Sequence, residues 1–96
     1  MIKHVVLFKY KADATPAQKK AMVDGLNALP GLIPEIKGWK LEHTIAGRPP
    51  RFYHVALFSE FASAKDLDSY LANPHHQSVV TVIDAACEAR AAFDYE

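Results

Sequence analysis

Ninety-six residues, half of them apolar, with 11 basic side chains balanced by 11 acidic ones, describe a single globular domain (1–96) built around one core. That neutral balance excludes the basic footprint that phosphate recognition needs, so neither nucleic acid nor an anionic membrane surface is an expected partner. The lone Cys87 forms no intrachain disulfide, no segment is long enough to span a bilayer, and Lys3, His4 and Lys9 break the apolar start with no cleavage site after it. A cytoplasmic location is the expectation.

In chain order, Ile2 to Tyr10 is a strand with apolar residues on both faces: His4, Val6, Phe8 and Tyr10 against Val5 and Leu7. In a small antiparallel sheet one face normally meets water, so a two-sided strand predicts that the second face meets another subunit. Thr15-Pro16-Ala17-Gln18 has the form of a capping box with proline at the first helical position, and Ala21, Met22, Gly25, Leu26 and Leu29 continue it as a helix to about Leu29. Pro30-Gly31 stops that helix, and Leu32 to Ile36 reads as a packed connector.

Trp39 to Ala46 alternates as a half-buried strand, and Gly47 to Arg51 is a loop of the hairpin type. Phe52 to Phe61 is again apolar on both sides, with Tyr53, Val55 and Leu57 opposed by His54, Ala56 and Phe58. Ser63 caps a second helix that ends just after Tyr70, and Asn73-Pro74 opens a third from His75 to about Ala85. Cys87 to Tyr95 is the last strand, and Cys87 itself reads as a small buried hydrophobe.

The order strand, helix, strand, strand, helix, strand is the split βαβ pattern of an α+β, ferredoxin-like protomer, a four-stranded antiparallel sheet with helices on one face. The other face is left bare, and pairing two such sheets across a two-fold axis would bury it as a homodimer. Val5, Leu7, Tyr53, Val55 and Leu57 are the expected interface residues.

Chemistry concentrates in Tyr70-Leu71-Ala72-Asn73-Pro74-His75-His76-Gln77. Histidine titrates near neutrality, and a nearby tyrosine can donate or accept a proton. His76, at the positive end of a helix, is kept neutral and able to accept a proton, while Tyr70 polarises a carbonyl oxygen or returns the proton. No strand histidine has a partner at zinc-ligand spacing, so a histidine metal centre is not expected, and no motif calls for a cofactor.

Ile2-Lys3-His4-Val5-Val6-Leu7-Phe8-Lys9, Leu29-Pro30-Gly31-Leu32-Ile33-Pro34, Tyr53-His54-Val55-Ala56-Leu57-Phe58, the Tyr70 to His76 corner and Phe93-Asp94-Tyr95 together resemble the stress-responsive dimeric α/β-barrel domain family. The resemblance implies two protomers pairing sheet to sheet into a barrel. Its plant polyketide cyclase branch is similar at Tyr70 and His76, implying catalytic roles for both, and at His4 and His54, implying that these line the same substrate pocket. Asn73 stands where those enzymes carry histidine. Plant members also imply a cation held by backbone carbonyls of the connector, here Pro30, Ile33 and Ile36. The function expected is a small homodimer that binds or converts a carbonyl-containing metabolite by His/Tyr acid-base chemistry. The alternatives are a non-catalytic stress-associated structural or ligand-binding dimer and, more weakly, a cofactor-independent monooxygenase.

Overall fold

A computed structural model describes residues 1–96 and orders them as β1 (Ile2–Tyr10), α1 (Pro16–Ala28), β2 (Gly38–His43), β3 (Val55–Phe61), α2 (Ala64–Ala72), α3 (Pro74–Ala86) and β4 (Cys87–Tyr95). All strands pair antiparallel, in the order β2-β3-β1-β4. One sheet face and the three helices enclose a core that includes Phe8, Met22, Leu26, Leu57, Phe61, Leu67, Tyr70 and Ile83. This is the ferredoxin-like α+β fold that the pattern of elements predicts. No helix is long and apolar enough to cross a membrane.

The capping box forms as expected. Gln18 N–H donates to Thr15 Oγ1 (3.1 Å), and Thr15 N–H donates to Gln18 Oε1 (2.9 Å). These bonds satisfy two of the donors that a helix start leaves open. Thr15→Ala is therefore expected to cost about 1 kcal/mol and to lower the melting temperature by roughly 4–8 °C, measured by thermal unfolding. Past α1, a single 3₁₀ turn at Leu29–Gly31 lets the Leu29 carbonyl accept from both Leu32 and Ile33 N–H at 2.9 Å. The connector is packed only in part: Ile33 is fully buried and Ile36 partly buried against the core, while Leu32 is 49% exposed.

Two strands are shorter than their apolar runs. β2 stops at His43 and β3 starts at Val55, because Gly47 takes a left-handed φ of 81° and Pro49-Pro50 follow it. Prolines donate nothing to a ladder, so the segment between the strands leaves the sheet as a loop. Cys87 is buried and its Sγ–H donates to Met22 Sδ (3.4 Å), in keeping with a packing role.

The register corrects one expectation. Val6 pairs with Leu57, and Phe8 pairs with Val55. Val55 (2% exposed) and Leu57 (1%) therefore share the helix-covered face and belong to the core, not to the bare face. Side chains alternate with a period of two, so the two faces of β3 exchange with a one-residue change of phase, and a strand apolar on both sides gives no sign of which phase holds. The bare face instead carries Val5, Leu7, Ala56, Phe58, Phe93 and Tyr95, of which Phe58 and Phe93 are 43% and 67% exposed. Tyr53 precedes β3 and lines a groove with Leu7 and Phe58 on this side.

Candidate active site

The corner between α2 and α3 is built by Asn73. Proline disfavours the helical conformation in the residue before it, and Asn73 sits at φ −65°, ψ 135°, ending α2 while its Oδ1 accepts His75 N–H (2.9 Å) to start α3. The chain turns sharply there. Tyr70 in the last turn of α2 and His76 in the first turn of α3 consequently meet, with ring centroids 4.5 Å apart and planes tilted by 54°.

Tyr70 is the centre of an aromatic cluster. Its ring lies 4.9 Å from Phe61, 6.3 Å from Trp39 and 6.4 Å from His4, and the residue is 1% exposed. No protein group hydrogen-bonds its hydroxyl, yet no fully buried side-chain oxygen or nitrogen lacks a partner, so the hydroxyl keeps an accessible patch. Tyr70 also lines a cavity. Burial pushes the phenol well above its ordinary value, so it remains a proton donor at neutral pH.

His76 is half-buried and its tautomer follows from its partner. The Leu71 carbonyl can only accept, so His76 Nδ1–H donates to it (3.1 Å), and Gln77 Nε2–H donates to the same oxygen (2.7 Å). Nε2 is then the nitrogen with a free lone pair when the ring is neutral. Burial lowers the pKa most; the bond to Leu71 opposes this, while Arg90 and His4 lower it further. The ring is therefore neutral near pH 7. The unfolded chain binds His76's proton more readily than the folded one, so stability is fully present above about pH 6.5 and declines as pH falls toward the lowered folded value. Thermal unfolding is expected to show the wild type losing more stability than His76→Gln between about pH 7 and about pH 5.

His4 is buried on β1, and its Nδ1 contacts the Asp94 carboxylate across the β1–β4 pair, where the two residues stand directly opposite. The carboxylate accepts, so His4 donates through Nδ1 and its Nε2 is left over. A cavity of about 450 Å³ joins these groups: His4, Tyr70, His76, Arg90 and Asp94 converge on it, between walls that include Val6, Leu26, Leu57, Val80 and Ile83. That volume lies within the range of small-molecule sites. Arg90 and Asp94 were not singled out from the sequence. Their signal is the strict alternation of β4, which puts Arg90, Ala92 and Asp94 opposite Phe8, Val6 and His4.

His54, expected in the same pocket, is held elsewhere. Tyr10 N–H donates to His54 Nδ1 (3.0 Å), and the imidazole stacks on the Tyr10 ring at 5.4 Å, so it closes the end of β1 and lines the groove on the bare sheet side. At the connector expected to offer the carbonyls of Pro30, Ile33 and Ile36, the Ile33 carbonyl accepts Ile36 N–H (3.3 Å) and the neighbouring Pro34 carbonyl accepts from the Lys37 ammonium (3.2 Å). No three His, Cys, Asp or Glu side chains converge in a way that could hold a metal ion.

Residues 2–96 match the model of the family described as Stress responsive A/B Barrel Domain. Over 82 residues the chain is 42% identical to a stress-response A/B barrel domain-containing protein of Arabidopsis thaliana, an overlap of 83% of this chain and 30% of that longer protein. It is 26% identical over 96 residues to olivetolic acid cyclase of Cannabis sativa, covering 98% of this chain and 94% of that one. Among solved structures, a dimeric ferredoxin-like protein of unknown function from Bacteroides fragilis superposes with a TM-score of 0.83 at 29% identity, covering 99% of this chain and 94% of that chain. The end-to-end family match, the ferredoxin-like fold and the residues that first suggested the resemblance agree: the chain belongs to the stress-responsive A/B barrel domain family.

Proposed function

We propose that this domain binds a small carbonyl-containing metabolite in the cavity between sheet and helices and moves a proton on it. His76 Nε2 takes a proton from the carbon next to the carbonyl; the C–H electron pair shifts into the C–C–O system, and the Tyr70 hydroxyl donates to the developing oxyanion. Return of the proton to carbon or oxygen completes the cycle, with no other reactant consumed. The observation that carries this reading is the convergence of a neutral, tautomer-fixed imidazole and an unpartnered phenol on one open cavity. A corner packed shut around His76 would have favoured a purely structural dimer. The name of the cyclase relative, which covers 98% of the chain, supports a reactive site as well.

The working unit in this proposal is a homodimer formed through the bare sheet face. An apolar row of Val5, Leu7, Phe58 and Phe93 on a protein this small is costly to leave in water, and the Bacteroides fragilis structure is described as dimeric. The buried thiol of Cys87 requires no oxidising surroundings, which supports a cytoplasmic site of action. A thermal-shift screen of small ketones and oxo acids tests the binding reading. Ligands that raise the melting temperature of the wild type but not of a cavity-filling variant such as Val80→Trp support it, and a panel with no such ligand counts against it.

A further inference from the structure

The charge inside the cavity narrows its ligand. Among the residues that line it, Arg90 and Asp94 alone carry a permanent charge, and they lie four residues apart on β4, about 13 Å along the strand. Asp94 is engaged by His4. Arg90 is barely engaged: its only ion partner is Asp84, at 3.5 Å, with both side chains well exposed. That distance is long for a charge-assisted hydrogen bond, and an exposed pair of this kind holds its side chains weakly. The uncommitted charge that the cavity offers is therefore positive, in the form of a planar fork of donors at one end of apolar walls. His76 lines the same cavity as Arg90 and His4.

Resting on the proton-transfer reading above, we propose that the ligand is an anion: an oxo acid with an apolar body, its carboxylate gripped by Arg90 and its ketone oxygen placed at the Tyr70 hydroxyl beside His76. The two oxygens of a carboxylate match the guanidinium fork, which a single ammonium cannot reproduce. Arg90 is thus a specificity residue, and the apolar walls take the rest of the molecule.

Benzoylpropionate and its methyl ester differ in the charge on the carboxyl group and by one methyl, and both carry an acidic C–H next to a ketone. Calorimetric titration is expected to give wild-type protein at least about a tenfold preference for the acid. Arg90→Gln is expected to abolish that preference by lowering acid affinity at least about tenfold more than ester affinity, and Arg90→Lys to restore part of it. Equal binding of acid and ester by the wild type, or an acid preference that survives Arg90→Gln, would overturn the assignment. Deuterium uptake next to the ketone of the ester, measured on the same samples, separates the two claims. Uptake that depends on His76 without any acid preference overturns the carboxylate grip and leaves the proton-transfer reading standing. Absence of binding and of uptake with both compounds overturns both.

Discussion

His76→Ala is expected to lower proton transfer on a bound carbonyl compound by roughly 10²- to 10⁴-fold, the usual contribution of a positioned general base. The ring is half-buried, and its polar bond goes to a backbone carbonyl that Gln77 also serves, so the variant keeps its fold and the loss reads as chemistry. Tyr70→Phe is the complementary case. The hydroxyl has no protein partner to lose, and the ring that packs against Phe61 is retained, so stability should hold while turnover falls about 10²- to 10³-fold, as when one donor to an oxyanion is removed. Activity followed under saturating ligand, beside melting temperature, checks both. Turnover unchanged in His76→Ala would remove the imidazole from the mechanism.

The second large effect concerns assembly. Phe58→Glu places a carboxylate in the middle of the apolar row on the bare face, opposite Val5 on β1 and Lys40 on β2. Phe58 is 43% exposed in the protomer, so the substitution costs the fold little, but it would bury an unpaired charge in a paired sheet face. Sedimentation is expected to find the wild type dimeric and the variant monomeric at micromolar concentration. Leu57→Ala should behave in the opposite way. Its side chain is in the core, and truncation should cost about 2–5 kcal/mol of stability without a specific effect on association. A monomeric wild type, or a Phe58→Glu variant that still pairs, would contradict the sheet-to-sheet dimer.

These two neighbouring residues also mark where the sequence was legible and where it was not. Element order could be read because each boundary carries its own local chemistry: the Thr15/Gln18 box, the Pro30-Gly31 stop, the Ser63 cap and the Asn73-Pro74 break all act within a few residues of themselves. The Tyr70–His76 pair was legible for the same reason, because a single extended residue between two helices brings their adjoining turns together. The phase of β3 was not. Apolar residues on both faces erase the alternation that would orient it, and only pairing with β1 puts Leu57 beneath the helices and Phe58 outside. His54, placed in the pocket by resemblance to the cyclase branch, is instead bound to the backbone of Tyr10. Asp94 and Arg90 were hidden by distance: Asp94 meets His4 across 90 positions of sequence, and local patterns carry no such pairing.

At the centre of the proposed chemistry, a neutral His76 takes a proton from carbon next to a carbonyl held at Tyr70. The most direct measurement is proton NMR of an oxo acid incubated with the protein in deuterium oxide at neutral pH. Deuterium uptake is expected at the carbon beside the ketone, faster than in buffer, lost in His76→Ala and strongly slowed in Tyr70→Phe. Uptake at the buffer rate for a compound shown to bind in the cavity, or equal uptake in wild type and His76→Ala, would contradict that chemistry.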